Sequence, residues 1–230
     1  MSLAPLTEAD CIEQIYSFYE NDSTTWSATS AEYLTARNLC KAAIIRWEYL
    51  EGMRWNELYT KLSAAADGDK TTTAGTYTYG CPTDMRVPPK PGNYVRVISN
   101  SASTYYKVLP LAKVEQADDV SGNYCWFTGN PKLGYTLNIN PEKTLATGDT
   151  ISYEYFRNAT YFTTTTSTTE MNNPFFIVHY VLSRLYKSDG LLNEANQEMQ
   201  IAESLLNEMK SENFDVLTDE VDTSGDGFGV

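Results

Sequence analysis

The chain has 230 residues, of which 42% are hydrophobic, enough to bury a core in one large domain or two small ones. Thirty Asp and Glu outnumber seventeen Lys and Arg, and the net charge of −13 repels nucleic-acid phosphate and anionic membranes. That excludes a general DNA-binding role, although it suits a conduit past which DNA slides without sticking.

The opening MSLAPLTEADCIEQ lacks the basic flank and apolar centre of a signal peptide, and no run approaches the ~20 apolar residues of a membrane span. A first helix is predicted near Thr7, with Pro5 upstream, Asp10 three residues after the Thr cap, and Ile12, Ile15, Tyr16 and Tyr19 on one face. The polar connector NDSTTWSATS leads to Thr29-Ser30-Ala31-Glu32, which reads as a capping box with Thr29 as the cap. A second helix follows, its apolar stripe formed by Ala36, Cys40, Ala43, Trp47 and Leu50, with Gly52 ending or kinking it. WNELYTKLSAAA is expected to continue as a short helix, and DGDKTTTAG has loop composition.

From Tyr77 to about Phe162 the period changes to two, with Gly, Pro and Asn punctuation. NYVRVIS, TYYKVLPL and NYCWFTG read as short strands. Tyr135, Leu137 and Ile139 alternate with polar residues in another, and GDTISYEYF reads as a single strand. The β-branched run YFTTTTSTTEMNN suits an extended linker back to the helices. A third, largely apolar helix has Asn173 as cap, Pro174 at its first position and Gly190 past its end. In the fourth, Leu192, Ala195, Met199, Ala202, Leu206 and Met209 form a seam that wants one partner helix.

These elements predict an α+β protein. An antiparallel helical bundle forms from the N- and C-terminal helices, with an inserted antiparallel β-sandwich or barrel-like domain. Residues 1–66 hold the N-terminal helices, 67–170 the β insertion and its linker, 171–213 the C-terminal helices, and 214–230 a flexible arm. The ends of the insertion, near 67 and 165, are expected to lie close together.

The candidate sites are few. His179 is the one histidine and sits on the apolar third helix, where a packed residue is more common than a catalytic base. GxSxG, a phosphate-cradling Gly loop and HExxH are all missing, and Glu154 or Asp149 on a strand nominates no carboxylate pair. Cys11, Cys40, Cys81 and Cys125 are scattered without a CxxC, which predicts reduced thiols and no zinc site. Asp222, Ser224, Asp226 and Gly227 mimic the first half of an EF-hand loop, but position 12 is lacking, so a flexible acidic tail is expected there. Tyr124, Trp126, Phe127, Tyr135, Tyr153 and Tyr155 could stack on sugars, or simply fill a pleated surface and subunit contacts. No catalytic residue, cofactor or metal is assigned.

Four stretches in order then carry a resemblance. They are CKAAIIRWEYLEGMRWNEL; the β region with CPTDMRVPP and the pair YTLNINP…GDTISYEYF; the apolar helix after Pro174; and the seam helix ending NEMKSENFD. Together, from about residue 40 to 215, they resemble the head-to-tail adaptor (connector) proteins of tailed bacteriophages. The layout is most similar to the tubular adaptor of short-tailed phages.

The resemblance implies a non-enzymatic virion protein of the neck or tail region, made in the host cytoplasm. It would form a dodecameric ring of neighbouring copies below the portal protein, with the helices on the portal side and the β insertion facing the next tail or nozzle protein. DNA would pass through the lumen without specific binding, and no membrane would be involved. The arm would dock on the portal through Phe214, Val216, Leu217, Val221 and Phe228; fully extended, its 17 residues reach at most ~60 Å. The β region of nearly ninety residues exceeds that of small all-helical adaptors and points to the short-tailed type. The competing readings are a carbohydrate-binding β module of a phage tail or adhesin, which needs an exposed aromatic row including Trp126, and a cell-wall hydrolase, for which no carboxylate is nominated.

Overall fold

The computed structural model describes residues 5–21, 25–51, 53–62, 70–99, 102–115, 122–143 and 145–217. The chain is α+β, with five α-helices among the described residues and a curled mixed sheet, a half-barrel. It divides into two compact units: one joins Met1–Glu57 to Ala159–Val230, and the other is the insertion Leu58–Asn158.

The unit made from the chain ends is helical. Helix α1 (Glu8–Glu20) starts at Thr7, whose hydroxyl accepts from the Asp10 N–H while the Asp10 carboxylate accepts from the Thr7 N–H. Helix α2 (Ala31–Glu48) starts one residue later than the capping-box spacing predicts. Ser30, not Thr29, accepts from the Tyr33 N–H, and the Thr29 hydroxyl instead meets Ser27. Ala36, Cys40, Ala43 and Trp47 are fully buried as the stripe requires, but α2 stops at Glu48, leaving Leu50 outside it.

Helix α4 (Phe175–Ser188) is the centre of this unit and touches α1, α2 and α5 (Leu192–Leu217). Phe176, Ile177, Val178, Val181 and Leu182 are all at most 1% exposed, which explains why its sequence is apolar around most of its circumference. The helix starts one residue later than expected, with Pro174 rather than Asn173 as its N-cap; Asn173 accepts from the Phe175 N–H, and Gly190 takes φ 80° just past the end. Ala195, Ala202, Leu206 and Met209 of α5 are buried along the expected seam, whereas Leu192 is 60% exposed. The Thr run is not a bare linker. The Ser167 and Thr165 carbonyls accept from the Glu8 and Ala9 N–H groups, satisfying two first-turn donors that a helix leaves open.

The insertion carries every strand among the described residues. A six-stranded sheet has the order β2-β7-β6-β5-β4-β8, and a three-stranded one β1-β9-β3. The strands are β1 (Tyr59–Lys61), β2 (Thr78–Gly80), β3 (Met85–Val87), β4 (Tyr94–Ser99), β5 (Ala102–Val108), β6 (Tyr124–Asn130), β7 (Gly134–Ile139), β8 (Thr150–Ser152) and β9 (Glu154–Arg157).

Three features depart from the sequence expectation. First, the sheet is mixed, because β6 pairs parallel to β5 through Lys107↔Tyr124 and Val108↔Cys125. The chain leaves β5, forms the short helix α3 (Leu111–Glu115) and crosses over before β6, which a parallel pair requires. Second, GDTISYEYF is two strands. Thr150–Ser152 pairs with β4, and after Tyr153 the chain joins the other sheet as β9. Third, the described residues of the expected helix WNELYTKLSAAA form a 3₁₀ turn, Asn56–Leu58, and then β1. Tyr59 pairs with Phe156, so the first and last strands of the insertion are neighbours.

Val95, Val97, Tyr106, Cys125, Leu137, Ile139 and Ile151 form the core of the insertion, with Tyr153 and Tyr155 packed among them. Among the described residues, no helix is long and apolar enough to cross a membrane.

Candidate docking surfaces

The buried polar groups of the helical unit act as ties between elements. Glu8 is fully buried and accepts from Arg37, at 2.6 Å, and from the Tyr33 hydroxyl, at 3.1 Å, joining α1 to α2. Its hydrogen bond to Arg37 holds that guanidinium pKa further up. Glu48, also fully buried, accepts from the Ala159 N–H and the Tyr161 hydroxyl. Asn213 accepts from the Asn56 N–H and donates to the Arg54 carbonyl, fixing the end of α5.

His179 lies 2.6 Å from Glu198 through Nδ1 and stacks on Phe18, so its ring links α4 to α5 and α1. Glu154 accepts from the Tyr59 hydroxyl of the neighbouring first strand. All four cysteines are free thiols. Burial pushes Cys11 and Cys125 up to about 12 and raises Cys40 and Cys81 as well, so each is held as the weakly nucleophilic thiol. Among the described residues, no group of three His, Cys, Asp or Glu side chains could hold a metal ion.

The aromatic residues singled out from the sequence separate onto two faces of the half-barrel. Phe127, Tyr135, Tyr153 and Tyr155 belong to or pack against the core, where Phe127 meets Tyr153 edge-on at 5.5 Å. Tyr124 and Trp126 alternate with buried Cys125 and lie on the outer face, their rings 6.1 Å apart. Strand register carries that face onward. Lys107 is opposite both Tyr124 and Tyr94, and Arg96 is opposite Tyr105.

Tyr94 and Tyr105 are 55% and 54% exposed and meet edge-on at 6.3 Å. The Arg96 guanidinium lies 6.0 Å from the Tyr105 ring centre and its Nε donates to Ser103. Sequence reasoning missed Tyr94 and Tyr105 as surface residues. The signal was their alternation with Val95, Val97, Tyr106 and Val108, which is readable only once the partner strands are known.

Beyond this face, the β6–β7 hairpin presents Leu133 at 83% exposure. The Asn130 side chain accepts from the Lys132 and Leu133 N–H groups and fixes that tip.

Charge is divided between the units. Leu58–Asn158 holds ten Lys and Arg against nine Asp and Glu, while the helical unit holds seven against twenty-one. The negative charge of the molecule is therefore carried by the unit built from the chain ends.

Of the residues proposed for portal docking, Phe214, Val216 and Leu217 fall within α5, whose last four residues are the first four of the expected arm. Val221 and Phe228, with the Asp222–Gly227 segment, lie outside the described residues. No protein-family model and no curated protein matches this chain.

Proposed function

We propose that the chain is a structural subunit of a bacteriophage head-to-tail adaptor, assembling as a ring beneath the portal and leaving a channel for DNA. The observation that carries this reading is the division of one chain into two chemically different units. An acidic helical unit is built from both ends, and a near-neutral β unit is inserted in it. Ring closure by heterologous contacts needs two unlike surfaces on each copy, and such a division supplies them.

In this reading the helices form an antiparallel bundle on the portal side, and the inserted sheet is the barrel-like head facing the next tail protein. The acidic helices keep passing DNA from adhering. The C-terminal segment 214–230 docks on the portal through Phe214, Val216, Leu217, Val221 and Phe228. Light scattering of the purified chain, alone and mixed with a portal ring, tests this. Joining the portal in one stoichiometric ring supports it; failure to bind any portal sinks it.

A second reading is favoured by the outer aromatic face of the insertion: a carbohydrate-binding module of a phage tail or adhesin. It requires Trp126→Ala to abolish glycan binding while leaving assembly intact.

A further inference from the structure

We propose that the outer face of β4, β5 and β6 is a docking surface for the acidic helical unit of a second copy of this chain. The inference deepens the ring-forming reading and rests on it. Tyr94, Arg96, Tyr105, Lys107, Tyr124 and Trp126 make a continuous cross-strand patch, tied by the pairs Tyr94↔Lys107, Arg96↔Tyr105 and Lys107↔Tyr124. Tyr, Trp and Arg at the centre of a patch are the side chains that interfaces favour, because they bury large area at little cost in conformational freedom. Here the rings are already ordered by each other and by Arg96.

Charge complementarity selects the occupant. Two cations stand among the rings, on the one unit of the molecule that is not acidic. A neutral sugar offers no charge to pair with theirs, whereas a carboxylate-rich surface does. Such a surface exists on every other copy. Toward the end of α5, Glu208 and Glu212 are exposed and neither forms an ion pair among the described residues. Glu57 is close enough to feel this charge: burial raises its pKa, and the negative charge of Glu212 raises it further. Its Oε2 is buried without a hydrogen-bond partner. Sheet face against helix end is a contact between unlike surfaces, so it propagates from copy to copy and closes only as a ring.

The test is a charge exchange in the full chain, read by sedimentation velocity up to ~1 mM protein and at low and high salt. R96E with K107E is expected to weaken self-association by about tenfold or more, and E208K with E212K to do the same. The chain carrying all four changes should regain most of the loss. Lys107, Glu208 and Glu212 are exposed and Arg96 is half-buried with its Nε bonded to Ser103, so thermal melting verifies that each variant is folded.

A wild-type chain that stays monomeric throughout, or a four-fold variant with no recovery, overturns the proposal. So does loss of glycan binding in the R96E/K107E chain with its self-association unchanged. Binding to a portal ring is measured in parallel. A wild type that loads the portal while charge exchange changes nothing leaves the adaptor reading standing and removes this surface. Rescue by charge exchange in a chain that ignores the portal does the reverse.

Discussion

Glu8 shows how one buried carboxylate sets the geometry of the helical unit. Removing it leaves Arg37 and the Tyr33 hydroxyl without their shared acceptor, and breaking a buried pair from one side costs about 3 kcal/mol. Glu8→Ala should therefore lower the urea midpoint strongly, while Glu8→Gln, which keeps an acceptor, should lower it less. Asp10 contributes differently. Its pKa is lowered by hydrogen bonds from the Thr7 hydroxyl and then the Thr7 backbone, so folding favours the carboxylate. That contribution is complete above the ordinary aspartate pKa of about 4 and fades as pH falls through the lower folded value. Asp10→Asn should lower stability at neutral pH, flatten the acid side of a stability–pH curve and converge with the wild type at low pH. The thiols report burial directly: a thiol reagent should reach half-buried Cys81 first and Cys11, Cys40 and Cys125 only on unfolding.

At the scale of elements, the β6–β7 hairpin depends on two glycines. Gly129 has φ 108°, and a Cβ there would stand 2.2 Å from the Gly134 carbonyl oxygen. Gly129→Ala must shift backbone, so we expect a loss of about 2 kcal/mol or more, with the hairpin resonances moving first in an NMR spectrum. Along the α4–α5 seam, Leu206 is 2% exposed, and Leu206→Ala should cost about 3 kcal/mol by denaturant titration. Helix periodicity announced most of this seam: Ala195, Ala202, Leu206 and Met209 turn inward, whereas Leu192 is exposed and Met199 only half-buried. Strand periodicity was less informative. It marked alternation in GDTISYEYF but not the change of sheet at Tyr153, because β8 and β9 have the same local pattern and differ only in their partners.

At the scale of the molecule, the insertion has its own core, and its first and last strands are paired, Tyr59 with Phe156. Residues 58–158 expressed alone should fold, giving a cooperative melt and dispersed amide resonances; an unfolded spectrum would show that the core needs the helical unit. Deleting 214–230 keeps Asn213 and its bonds to Arg54 and Asn56, so the remaining chain should melt as a folded protein. On the adaptor reading it should no longer join the portal, and normal portal binding by the truncated chain rules out the docking arm.

Much of the local structure was set by sequence alone. The Thr7 cap, the stripe through Ala36 and Trp47, the apolar helix after Pro174 and the α5 seam all follow from interactions within a few residues. Tertiary structure decided what such short-range patterns cannot carry. The parallel β5–β6 pair, the strand at Tyr59–Lys61 and the anchoring of α1 by Thr165 and Ser167 each join residues distant in the chain. The outer face belongs to that second class. Tyr124 was legible only as one aromatic of a strand, and it joins Tyr94 and Lys107 in one surface only when three strands fall into register, because a pleated sheet sorts side chains by partner as well as by alternation.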